Sequence, residues 1–93
     1  MDDPRNVEPL VVMQPVAVDT ASPDRDGMLV MANGMLVGVL VHLDTPDHEH
    51  QVGNWFVEAA FGGLQGARPK PFDTLDEATR WFRLQLRRRS AAN

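Results

Sequence analysis

Apolar and polar positions change their spacing along the chain, and the changes mark out its elements. Leu10 to Val18 (LVVMQPVAV) is rich in β-branched residues and reads as a strand. Pro15 cannot donate to a ladder, which restricts that strand to an edge position or breaks it. Residues 19 to 27 (DTASPDRDG) have loop composition. Two apolar runs then flank Asn33-Gly34, a pair suited to a type I′ turn because both its central positions need φ > 0. The pattern predicts strands near 28 to 32 and 35 to 43. A further strand is expected in GNWFVEAAFG, residues 53 to 62, with Trp55, Val57, Ala59 and Phe61 on one face and Phe56, Glu58 and Ala60 on the other. The glycines and prolines of GGLQGARPKP end it in a loop. From Thr74 the period becomes helical: Leu75, Ala78, Phe82 and Leu86 share a stripe with Trp81 at its edge, as far as about Arg89. Thr74 and Glu77 fit a capping box, in which Glu77 is expected to reach back to the Thr74 amide. Asp76 and Glu77 suit the positive helix N-terminus, and Arg87, Arg88 and Arg89 the negative C-terminus.

These elements predict an α+β fold, an antiparallel three- to four-stranded sheet packed on one face by a single C-terminal helix. Uniform alternation across the Asn33-Gly34 turn puts Met28, Val30, Ala32, Met35, Val37, Val39, Val41 and Leu43 on one wholly apolar face. The other face carries Leu29, Met31, Leu36, Gly38 and Leu40, with His42, Asp44 and Glu58 as a polar rim. One helix covers one face only, so the second needs either the N-terminal segment 7 to 18 as a lid or a second subunit.

Ninety-three residues make one domain with a modest core, residues 1 to 9 being a loosely held lead-in and 90 to 93 a frayed tail. No cysteine is present, which excludes disulfides, thiolate metal sites and cysteine nucleophiles. The acidic start MDDPRN has no apolar stretch of the secretory kind, and the expected setting is the cytoplasm. The charge-free run from Gly27 to Leu43 falls short of the roughly 20 apolar residues of a membrane helix and lacks basic anchors. Charge is divided: residues 1 to 79 carry four basic and thirteen acidic side chains, whereas residues 80 to 93 carry five arginines and no acid. An acidic body argues against a broad nucleic-acid footprint while leaving a local contact open.

Candidate chemistry is sparse. All three histidines lie in HLDTPDHEHQ, residues 42 to 51, where His48 and His50 are weak metal candidates that His42, Asp44, Asp47 or Glu49 would have to complete. The spacing matches neither HExxH nor a calcium loop, and Thr45-Pro46-Asp47-His48 fits a type I turn between strands. With serine only at positions 22 and 90 and no tyrosine, no hydroxyl-nucleophile constellation forms, and the expectation is a protein that is not an enzyme and needs no cofactor. Residues 62 to 70 do not match a phosphate-binding loop, and Asp73, Asp76 and Glu77 at the following helix start would repel an anion. Trp55 and Trp81 read as core or core-edge residues, and Leu84 as an exposed leucine or partner contact. Arg80, Arg83 and Arg87 share one helix flank, suited to solvent, to phosphate or to an acidic partner.

Gly53 and Trp55 in a strand, followed by Phe72-Asp73-Thr74 and Glu77-Ala78, resemble the last part of the AP2-type DNA-binding module over about thirty residues. The resemblance implies a three-stranded sheet packed on one helix. Two features depart from that family: residues 27 to 61 hold no Arg or Lys with which strands could read DNA, and Arg68-Pro-Lys-Pro stands where the last strand belongs. It is a similarity of architecture. The leading expectation is a non-enzymatic interaction module, self-associating as a homodimer or binding a protein partner through Leu29, Met31, Leu36 and Leu40. The rival expectations are a nucleic-acid-binding regulator that uses the arginine flank and, behind it, a metal-dependent enzyme using His48 and His50.

Overall fold

A computed structural model describes residues 10 to 44 and 52 to 91, with side chains as far as Arg88. Four strands, β1 (Val11–Ala17), β2 (Asp26–Ala32), β3 (Met35–His42) and β4 (Trp55–Ala60), form one sheet in the order β1-β2-β3-β4. Each neighbouring pair is antiparallel, and the helix α1 (Leu75–Ala91) follows a short 3-10 turn at Gly62–Leu64. The fold is α+β, as the periodicity predicts. The apolar run at 27 to 43 is the β2-β3 hairpin, and no helix among the described residues is long and apolar enough to cross a membrane.

The hairpin turns where the sequence requires it. Asn33 and Gly34 both have positive φ, 52° and 84°, which only this residue pairing accepts cheaply. β1 is an edge strand, and its register shows why Pro15 is tolerated. Leu10 accepts a bond from the Asn33 amide and the Val18 amide donates to Arg25, so even-numbered residues turn their backbone groups toward β2. Val11, Met13, Pro15 and Ala17 turn theirs outward, where a missing N–H breaks no ladder bond.

Uniform alternation fails at two places. Val30 pairs with Gly38 but Met31 with Leu36, leaving Val37 as an extra residue in β3. Val39 pairs with Ala59 but Leu40 with Val57, leaving Glu58 as an extra residue in β4. A strand alternates with period two, so one inserted residue exchanges the faces of everything beyond it. Gly38, Leu40 and His42 therefore lie on the helix side, and Val39, Val41 and Leu43 on the other, the reverse of the sequence expectation. In β4, Trp55 and Val57 stay together on the helix side, joined by Ala60, while Ala59 and Phe61 fall with Phe56 on the opposite face.

The core beneath the helix is built from Val11, Val30, Ala32, Val37, Leu40 and Val57 of the sheet and Ala78, Phe82 and Leu86 of α1. Phe82 and Leu40 are fully buried, and Phe82 rests directly over Gly38. A methyl group on Gly38 would stand 2.7 Å from the Phe82 ring, so the glycine provides the hollow that lets the ring descend onto the sheet. Leu64 of the 3-10 turn is buried in the same core, a contribution its glycine-rich loop composition does not announce. Trp55 and Trp81 pack half-buried at the core margin, and Trp81 meets Phe82 edge-on with centroids 4.9 Å apart.

The helix start follows the capping expectation with one difference. The Thr74 hydroxyl accepts from the Glu77 amide at 3.1 Å, but the Glu77 carboxylate accepts from Asp73, one residue earlier than expected, at 3.2 Å. Just upstream, Phe72 and Trp55 exchange both backbone hydrogen bonds, which ties the chain before α1 to the outer edge of β4.

Candidate functional site: the second sheet face

With the bulges in place, the face turned away from α1 carries Val12, Gln14 and Val16 of β1 and Leu29 and Met31 of β2. β3 contributes Leu36, Val39 and Val41, and β4 Phe56 and Ala59. Phe61 donates its amide to the Val37 carbonyl and continues β4's alternation on this face. None of these side chains is charged, and Gln14 alone is polar, in a chain of net charge −4. Val12, Leu36 and Phe61 are 51%, 38% and 42% exposed, and Leu29, Met31, Val39, Phe56 and Ala59 are half-buried. Four strands about 4.8 Å apart, each with about six residues at about 3.3 Å, give a patch of roughly 400 Å². Soluble monomers rarely leave contiguous apolar patches larger than a few hundred Å² uncovered.

Three of the four predicted contact residues, Leu29, Met31 and Leu36, lie on this face. Leu40 does not: the bulge at Val37 turns it under the helix, where it is fully buried in the core. Val39 takes its place opposite Leu29. The lid expected from segment 7 to 18 does not form from its described part, since residues 11 to 17 extend the sheet sideways as β1. Residues 7 to 9 lie outside the described residues. Val41 and Leu43 are buried toward the end of this face, apart from the main core.

The histidine stretch is described only in part: His48 and His50, with Asp47 and Glu49, lie outside the described residues. His42 belongs to the helix side, where its ring packs on Trp55 at 4.7 Å and its Nδ1 is paired with the Asp44 carboxylate. The Asp44 amide in turn donates to the buried Asp24 carboxylate at 2.8 Å, which fastens the β1-β2 loop to the end of β3. That loop is further held by the Thr20 hydroxyl on the Asp24 carbonyl and by an Asp19 side chain that accepts from the Ala21 amide, Ala21 having φ 59°. Beside it lies an open concavity of about 860 Å³ whose lining charges are Asp19 and Arg25. Among the described residues no three His, Asp or Glu side chains converge as metal ligands.

On α1, Arg80 and Arg87 are exposed and Arg83 is half-buried. Arg80 and Arg83 share a shallow groove of about 280 Å³ with Asp76 and Thr79, and the Arg83 Nε is buried there without a hydrogen-bond acceptor. Leu84 is 41% exposed.

No family model, curated protein or solved structure matches the chain. The likeness to the AP2-type module thus rests on a sheet followed by one helix, and here that sheet has four strands.

Proposed function

We propose that the protein is a non-enzymatic interaction module that self-associates through the second sheet face. The observation that carries this reading is a continuous uncharged face spanning four strands, with α1 on the opposite side and β1 beside it in the sheet plane. Burying such a face removes apolar surface from water at about 25 cal/mol per Å². Two copies meeting there bring no like charges together, which suits a net-acidic chain. Two patches of roughly 400 Å² bury less than the about 1,600 Å² of a standard interface, so association on the order of micromolar is expected. Light scattering on a sizing column tests the reading with Val12→Lys and Leu36→Asp, two positions on this face whose exposure lets the monomer keep its fold. The wild type is expected to run as a dimer at high concentration and both variants as monomers with unchanged circular dichroism. A wild type that stays monomeric and binds no apolar dye contradicts the proposal.

A second reading is supported by the Arg83 Nε, a donor without an acceptor in the groove it shares with Arg80. Phosphate or carboxylate oxygens of a nucleic acid or an acidic partner would satisfy it. Retention by a DNA or RNA fragment at low salt, lost when Arg80, Arg83 and Arg87 are replaced by Ala, supports this reading, and absence of binding at low salt removes it.

A further inference from the structure

We infer that the second copy docks face to face, two four-stranded sheets stacking as a β-sandwich, and that neither sheet edge serves for strand addition. The inference deepens the self-association reading and rests on it. A sheet can recruit a second copy by pairing edges or by stacking faces, and here both edges are guarded.

On the β1 edge, the outward-turned residues are Val11, Met13, Pro15 and Ala17. Pro15 sits in the middle of this row, so a strand arriving there meets an absent donor and a ring where the central ladder bond belongs. On the β4 edge, the outward N–H and C=O of Trp55 are already taken by Phe72 at 2.7 and 2.8 Å. The bulge at Glu58 then disturbs the spacing of what is left, with a charged, exposed side chain at the extra residue. Proline, a bridging segment, a bulge and a charge are the devices that keep sheet edges from pairing.

The face carries no such device. Its centre is the Leu29-Val39 pair, with Met31, Leu36, Phe56 and Ala59 around it, and no charged side chain interrupts it. Stacked sheets sit about 10 Å apart with interdigitated side chains, a geometry this mixture of large and small apolar residues can fill. A two-fold axis through the patch would bring Leu29 and Val39 of each copy against the same residues of the other.

The test is nuclear magnetic resonance on the full chain, with one half of the sample isotopically labelled and the other not. Contacts between copies are expected from the methyl groups of Leu29, Met31 and Val39. The outward amides of Val11, Met13 and Ala17 should exchange with solvent at rates that do not change with protein concentration. A dimer in which those amides become protected as concentration rises, without methyl contacts across the face, overturns the face-to-face inference while leaving self-association intact. A chain that stays monomeric at every concentration overturns both.

Discussion

Substituting Gly38 by alanine probes the register of β3 at the point where it departs from simple alternation. The added Cβ would lie 2.7 Å from Phe82 Cζ and 2.8 Å from Cε1. Carbon atoms pack best at about 3.5 to 4.0 Å, so the ring would have to withdraw by roughly 1 Å. Phe82 is fully buried against Val30, Leu40 and their neighbours, and a close-packed interior resists such a shift. Overpacking of this kind costs about 1 to 3 kcal/mol. In a domain of this size, each kcal/mol lowers Tm by about 4 to 8 °C. Urea and thermal unfolding should be compared at one protein concentration, because self-association adds a concentration-dependent contribution of its own. Phe82→Leu supplies the second arm. Combined with Gly38→Ala it should be less destabilising than the two changes added, with a coupling of about 0.5 to 3 kcal/mol between residues in contact. A neutral Gly38→Ala, or strict additivity with Phe82→Leu, would place residue 38 on the second face after all and refute the bulge at Val37.

Other consequences are local. Thr74→Ala removes the acceptor of the Glu77 amide and should cost about 1 kcal/mol by urea unfolding, and Thr74→Ser should restore most of it. Asp24→Ala leaves the Asp44 amide without its side-chain acceptor, and a loss of about 1 to 3 kcal/mol is expected, together with faster hydrogen exchange at Asp44. An unchanged exchange rate at Asp44 would show that this bond does not hold the β1-β2 loop.

The elements were legible because each has a local cause: the Asn33-Gly34 turn, the capped stripe of Ala78, Phe82 and Leu86, and the β-branched run broken by Pro15. The faces were legible only as far as the first bulge. Alternation from the turn places Leu29, Met31 and Leu36 correctly, then misplaces Leu40 because Val37 is an extra residue. Two clues to the irregularity were present. Gly38 is a glycine inside a central strand, a frequent mark of a bulge or close approach, and Glu58 is a charge inside an otherwise apolar strand. What composition does not reveal is tertiary: that the Phe82 ring needs the hollow over Gly38, that Leu64 joins the core, and that Phe72 seals the edge at Trp55. The Asp24 tether likewise links positions 20 residues apart that no local pattern connects.

Sedimentation equilibrium of the full chain over a concentration series from about 1 to 500 μM bears most directly on self-association through the second face. The apparent mass should rise from the 10.4 kDa of one chain toward twice that value, and substituting Leu36 by Asp should hold it at the lower figure. A mass that stays at 10.4 kDa throughout, or a dimer unaffected by that substitution, would contradict the account.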